Sequence, residues 1–147
     1  MKSEASSYSI DDLARDKRSA WTGVRNYQAR NYMQKDMRVG DDVLFYHSSS
    51  DPTGVVGLAK VSALAHPDLS ALDKKSHHFD PTATKENPRW FCVDIDFVKK
   101  FKRAVELPQL RANKKLKNMM LLQKGSRLSI QPVSELEFNE ICRMAAE

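Results

Sequence analysis

Long apolar runs are missing from this sequence, and their absence narrows the class of protein. No stretch approaches the roughly 20 apolar residues that a membrane-spanning helix requires. The residues after Met1-Lys2-Ser3-Glu4 also lack the apolar segment of a secretory signal peptide. We therefore expect a soluble intracellular protein without a membrane partner, in the cytoplasm of a bacterium or in the nucleus of a eukaryote.

Cysteine is scarce, with only Cys92 and Cys142 present. The two form no CxxC pair and neither lies at ligand spacing from a histidine, so we expect reduced, buried thiols rather than a zinc site. Among the four histidines, His77 and His78 are adjacent. In a strand, adjacent side chains point to opposite faces and cannot hold one metal ion together. No metal is expected.

The common signatures of enzymes and cofactor-binding proteins are absent as well. The sequence contains no GxGxxG, no Walker lysine, no GxSxG and no HExxH. Asp94 and Asp96 share one face of a predicted strand and resemble a catalytic carboxylate pair, but a solvated strand face explains the same pattern. We therefore expect no cofactor and no catalytic activity.

What the chain does contain is an ordinary globular composition, 41% hydrophobic and 29% charged over 147 residues. This length predicts one domain, residues 1–147. The net charge of +5 is compatible with nucleic acid without requiring it. Eight basic residues between Lys99 and Lys117 face only one acidic residue, Glu106. Such a run is either a solvated face or a patch that follows phosphates, with Lys114, Lys115 and Lys117 as candidate phosphate contacts.

The pattern of apolar and turn-forming residues predicts strands that alternate with short helices. Ser9 and Ser134 each begin a capping-box pattern at the start of a predicted helix. The predicted helices cover residues 10–15, 26–33, 109–113, 115–122 and 135–145, and in the last one Leu136, Ile141 and Met144 are expected to face the core. The predicted strands cover residues 42–47, 55–64 (with a bulge or a close backbone approach at Gly57), 90–98 and 127–132. Residues 65–89 form a long irregular excursion. The fold class is mixed α+β and β-centred.

Trp21 lies in a glycine-containing segment beside Arg25 and Asn26. A flat aromatic side chain near an amide and a guanidinium suits recognition of a planar polar heterocycle such as a base. The alternative is that Trp21 fills the core between two helices. Composition and spacing leave both readings open.

Several motifs resemble those of EVE domains. The matching segments are residues 2–4 (KSE), 8–13 (YSIDDL), 21–31 (WTGVRNYQARN), 39–41 (VGD), 44–48 (LFYHS), 87–90 (NPRW) and 125–133 (GSRLSIQPV). They cover essentially the whole chain in the family's order. Family members usually carry a few residues before the KSE motif, including an aromatic, so the resemblance predicts that the first strand lacks its beginning here.

The resemblance implies a PUA-like pseudobarrel of about five to six strands decorated with short helices, related to the YTH domains. It also implies a pocket on the barrel for a modified base, with modified cytosine in DNA favoured. Trp21 corresponds to a wall of that pocket and Lys2, Ser3 and Glu4 to its floor. Further candidates for the pocket are Arg25, Asn26, Arg30, His47, Ser48, Phe79 (as an opposite wall), Arg127 and Ser129.

The partners implied are DNA or RNA with a modified base, together with restriction or RNA-modification proteins. We therefore expect a non-catalytic binding module. Two alternatives remain: an enzyme or enzyme subunit that modifies RNA, and a sensor of a free base or nucleoside in the same pocket. A fold alone selects none of the three, since function resides in the site.

Overall fold

The apolar segments near residues 45, 58 and 95 form the centre of a five-stranded sheet in the computed structural model, which describes all 147 residues, Met1–Glu147. The strands in chain order are β1 (Lys2–Glu4), β2 (Arg18–Ala20), β3 (Asp42–Ser48), β4 (Gly54–Pro67) and β5 (Phe91–Glu106). Their order in the sheet is β1-β3-β4-β5-β2. Only β1 and β3 are parallel, and the other pairs are antiparallel.

Irregular pairing between the two longest strands lets the sheet curl into a half-barrel. The register of β4 against β5 shifts four times, and the first shift falls between Val55 and Gly57. The bulge predicted at Gly57 is therefore confirmed. A Cβ atom at this position would lie 2.4 Å from the carbonyl oxygen of Lys99, so only glycine allows this close approach of the strands.

The core lies on both sides of the sheet, as β3 shows. Val43 and Phe45 belong to one buried cluster, while Leu44 and Tyr46 belong to a second on the opposite face. The continuous apolar run of this strand follows from burial on both faces. The first cluster packs against the helix that begins at Ile10, and the second packs against the C-terminal helix.

Short helices connect and cover the strands. The α-helices are α1 (Ile10–Asp16), α2 (Tyr27–Asn31), α3 (Leu107–Ala112) and α4 (Glu135–Ala145). A π-helical turn covers Tyr32–Asp36, and 3-10 turns cover Leu69–Leu72, Lys114–Leu116 and Met120–Leu122. Capping boxes at Ser9 and Ser134 begin α1 and α4, as predicted. No helix is both long and apolar enough to cross a membrane.

Four elements differ from the sequence-based expectation. β2 was not predicted, β5 continues eight residues beyond Val98, and residues 115–122 form two short turns instead of a helix. The strand predicted at 127–132 is wrong. This segment is irregular, because the side-chain amide of Gln131 donates to Leu128 O and Ser126 Oγ while Pro132 has no N–H to donate. It still approaches β1, where the Lys2 N–H donates to Ser129 O at 2.8 Å.

The inward face of α4 also differs from the prediction. Ile141 is buried, but Leu136, which was expected in the core, is 61% exposed. The buried position one turn before the end is Glu140, whose carboxylate accepts from Asn113 and pairs with Arg143. These bonds lower the pKa of Glu140 to about 2. Helical periodicity therefore identified the helix but not the width of its buried stripe.

Candidate functional site

A cavity of about 530 Å³ opens between β1, the segment that leads into α2, and the irregular segment 127–129. We call it the Trp21 cavity. Seven of the predicted site residues line it: Lys2, Ser3, Trp21, Arg25, Asn26, Arg127 and Ser129. Its volume lies within the range of about 300–1,000 Å³ that is usual for small-molecule sites.

Trp21 packs in the core and also lines the cavity. The residue is 8% exposed, and its ring packs edge-on against Phe45 and Tyr8, with centroid separations of 5.5 and 6.3 Å. Its backbone N–H donates to Val93 O at 2.8 Å, which fixes the residue beside β5. The indole is thus a rigid wall of the cavity, because the core holds its orientation.

Arg25 is held at the cavity by a buried carboxylate. Its Nη1 lies 3.0 Å from Oδ2 of Asp68, which is only 1% exposed. Burial by itself would raise the pKa of Asp68, but hydrogen bonds from Ser70, Gly23 and Arg25 lower the pKa below its ordinary value. Arg25 also donates to the backbone carbonyl of His78 at 2.7 Å and so ties the long loop after β4 to the cavity.

Asn26 caps helix α2 and faces the cavity at the same time. Its Oδ1 accepts from the Ala29 N–H at 3.0 Å. The residue is exposed and lines the Trp21 cavity. With its carbonyl oxygen occupied by the cap, its amide NH₂ is the group that remains to donate to a ligand.

His78, Tyr8 and Leu128 also line the cavity, and none of the three was predicted as a site residue. The imidazole of His78 packs so closely on Gly23 that a Cβ there would lie 2.7 Å from its Nε2. Gly23 also has a φ of +87°, a conformation that favours glycine. In the sequence, the adjacent pair His77-His78 argues against a shared metal ion, but it does not predict that His78 lies at the cavity.

Five predicted residues lie outside the cavity. Glu4 is exposed on β1, and Ser48 lies at the end of β3, opposite Glu4 in the register of the sheet. Arg30 stacks on the ring of Tyr27 at 4.6 Å and donates to Arg89 O at 2.8 Å. The other two are His47 and Phe79.

His47 has a structural contact that explains its position. Its Nε2 accepts the backbone N–H of Ile10 at 3.1 Å, at the start of α1. Burial lowers the pKa of this imidazole. The neutral ring is the form that can accept this hydrogen bond.

The charged side chains that line the cavity are of one sign, and one of them, Arg25, is paired with the buried Asp68 behind the lining. Lys2, Arg25 and Arg127 line it, and its lining contains no aspartate or glutamate. Burial lowers the pKa of Lys2. The predicted phosphate contacts Lys114, Lys115 and Lys117 do not line the cavity, and Lys115 Nζ lies 3.6 Å from Glu140.

Neither cysteine has the features of a nucleophile. Both are free thiols, but only Cys92 is buried, and Cys142, which was also expected to be buried, is half-buried. Cys92 lies near His66, which contacts Asp94 at 2.7 Å, but burial raises the pKa of the Cys92 thiol to about 12. Since the thiolate is the reactive form, this cluster does not have the electrostatics of a catalytic triad.

Comparison with known proteins relates the chain to a family. The EVE domain model matches residues 1–144. The chain is 40% identical over 142 residues to human thymocyte nuclear protein 1, covering 90% of this chain and 62% of the relative. It therefore spans about three fifths of the length of such relatives.

Solved structures agree in fold over nearly the whole chain. A hypothetical protein from Leishmania major is 49% identical, with a TM-score of 0.95 and coverage of 99% of this chain and 92% of that one. Human THYN1, in complex with DNA that contains 5-methylcytosine, is 37% identical, with a TM-score of 0.88 and coverage of 95% and 86%. Family model, relatives and structures agree, and the chain belongs to the EVE domain family.

Proposed function

We propose that this chain is a non-catalytic binding module that holds a modified base, with methylated cytosine favoured, in the Trp21 cavity. The observation that carries the proposal is the combination of a rigid aromatic wall with a rim of cations and no carboxylate. An aromatic face stacks on a base, and the cations suit the phosphates attached to it. The human THYN1 complex with 5-methylcytosine DNA supports the same ligand class.

The cavity offers separate groups for the parts of such a base. The exposed portion of the Trp21 indole provides stacking, which is worth roughly 1–3 kcal/mol per base. Val24 and Leu128 add apolar lining for a methyl group, and the Asn26 amide provides donors for the polar edge. These contacts must offset the few kcal/mol that removing a base from its stack costs.

Binding without chemistry is favoured by the composition of the lining. It has no carboxylate and no cysteine, so His78 lacks a carboxylate partner to orient it as a general base. A reader of this kind would serve restriction or RNA-modification proteins. Its compartment would be that of its nucleic acid, the cytoplasm in bacteria or the nucleus in eukaryotes.

The two tryptophans provide a direct test, since Trp21 lines the cavity and Trp90 does not. In the Trp90→Phe variant, Trp21 is the only indole, and we expect its fluorescence to change when a single-stranded oligonucleotide with one 5-methylcytosine is added. In the Trp21→Phe variant, we expect little fluorescence change and binding weaker by about 1 kcal/mol or more, since the stacking platform shrinks.

Thermal denaturation of both variants is the control, because both indoles are largely buried. If Trp21→Phe retains both its stability and its full affinity, the base does not lie against Trp21. The proposal would then be wrong about the site.

A further inference from the structure

Two more hollows adjoin the Trp21 cavity, on either side of the loop formed by residues 123–128, which we call the Lys124 loop. The first, about 450 Å³, is lined by Gln28 together with this loop and shares Asn26, Arg127 and Leu128 with the Trp21 cavity. The second, about 540 Å³, includes Arg111 and shares Lys2 with the Trp21 cavity. The shared lining residues place the three spaces next to one another around the loop, and we call them together the depression.

Cations line this whole depression and carboxylates do not. The two hollows add Lys124 and Arg111 to the cations of the Trp21 cavity, and neither contains aspartate or glutamate. No carboxylate lies within ion-pair distance of Lys2, Arg111, Lys124 or Arg127. These four cationic side chains are therefore available to bind an anion from outside the chain.

Several carboxylates lie together elsewhere on the molecule. Another cavity, about 630 Å³, which we call the acidic cavity, is lined by Asp36, Asp41, Asp42 and Glu135 and contains no lysine, arginine or histidine. Lysines outside the depression have internal partners in several cases, since Lys60 pairs with Asp42 and Lys100 with Asp11. The two linings therefore differ in the sign of their charge, which the net charge of the whole chain does not describe.

The Lys124 loop is supported from both ends by glutamine side chains. The amide of Gln123 donates to Lys117 O and Met119 O at 3.0 and 3.1 Å. The amide of Gln131 donates to Ser126 Oγ and Leu128 O at 2.8 and 2.9 Å. At the tip, Gly125 has a φ of +79° with open space around it. The loop thus holds Lys124 and Arg127, both exposed, between the hollows.

We propose that a single nucleic-acid strand continues from the Trp21 cavity around the Lys124 loop, with its phosphates held by Lys2, Arg111, Lys124 and Arg127. This rests on the proposed function and extends it, because it assigns the two hollows to the nucleotides that flank the bound base. The ligand is then an unpaired segment of about three nucleotides rather than an isolated base. The cations position the backbone and read no sequence.

The dependence of affinity on salt tests this path. Each phosphate contact on a single strand adds roughly 0.7 to the slope of log affinity against log salt concentration. We expect the double variant Arg111→Gln, Lys124→Gln to flatten that slope by about 1.4. Both residues lie outside the Trp21 cavity, so affinity should fall in the same proportion for strands with cytosine and with 5-methylcytosine.

The matched control is Lys114→Gln, Lys117→Gln, which removes the same charge from exposed positions outside the depression. We expect its slope to equal that of the unaltered protein. Equal slopes for the two double variants would overturn the path. If the unaltered protein binds methylated and unmethylated strands equally, the proposed function fails instead, whichever slopes are found.

Ligand length gives a second measurement. Affinity should rise from 5-methyldeoxycytidine to a trinucleotide centred on the same base, and should then level off for longer strands. A trinucleotide that binds no better than the nucleoside would overturn the path while leaving a base-binding cavity in place.

Discussion

At the scale of single residues, His47 is a buried side chain whose hydrogen bond to α1 requires a neutral imidazole. The Nε2 atom accepts the first N–H of α1, and burial lowers the pKa of the ring. In the unfolded chain the imidazole titrates near its ordinary value of about 6.5. As the pH falls below that value, the unfolded state binds a proton that the folded state resists, so folding stability decreases.

We therefore predict that the melting temperature falls as the pH is lowered from 7 toward 5. In His47→Gln, whose side-chain oxygen can accept without titrating, this fall should be smaller. His77→Gln is the control, since His77 is exposed and forms no such contact. If both variants keep the full pH dependence, the bond between His47 and Ile10 does not govern it.

The position of a residue at the cavity could be predicted only where the chemistry of its own side chain indicated it. The sequence and the family resemblance predict Trp21 and Asn26 as pocket residues, and both line the Trp21 cavity. His47 could not be assigned, because its contact joins residues 37 positions apart. His78 was missed because only the path of the long loop, fixed by Arg25 and Asp68, brings it to Gly23.

At the scale of elements, the sequence periodicity of α4 predicts a helix, but only the packing in the folded protein determines which of its side chains are buried. Its Ile141 is fully buried against the second face of the sheet, while Leu136 is mostly exposed. Both are large aliphatic residues on the same helix. The sequence alone therefore did not indicate which of the two is buried.

We predict that Ile141→Ala lowers the free energy of unfolding by about 2–5 kcal/mol, since it removes buried atoms and leaves a cavity. Leu136→Ala should change it by no more than about 0.5 kcal/mol, as is usual for exposed positions. Urea denaturation of the two variants measures both values. Similar losses would show that α4 packs through a different face.

Elements with strong local patterns were predicted and those that depend on distant partners were not. The capping boxes of α1 and α4 and the apolar run of β3 lie within a few residues. β2 has no large apolar residue and exists because it pairs with β5, where Arg18 forms an ion pair with Asp96 at 2.6 Å. The second half of β5 is rich in lysines, and one of its edges is not covered by another strand. The lysines obscure the strand pattern in the sequence, although Phe101 and Val105 are buried.

At the scale of the whole molecule, the unequal distribution of charge matters more than its total. The depression around the Lys124 loop is lined by cations and no carboxylates, whereas the acidic cavity is lined by carboxylates and no lysine, arginine or histidine. The candidate phosphate contacts Lys114, Lys115 and Lys117 do not line the depression, because a basic run in sequence need not converge in space. Arg111 is the member of that run that reaches the depression.

The central claim is preference for a modified base, and a titration of matched oligonucleotides tests it most directly. Pairs of DNA and RNA strands that differ only in one 5-methylcytosine should be measured at one salt concentration. At about 0.8 kcal/mol per buried carbon, an enclosed methyl group predicts about fourfold tighter binding of the methylated strand. The base should be recovered unchanged. Equal affinity within every pair, or conversion of the base, would contradict the claim.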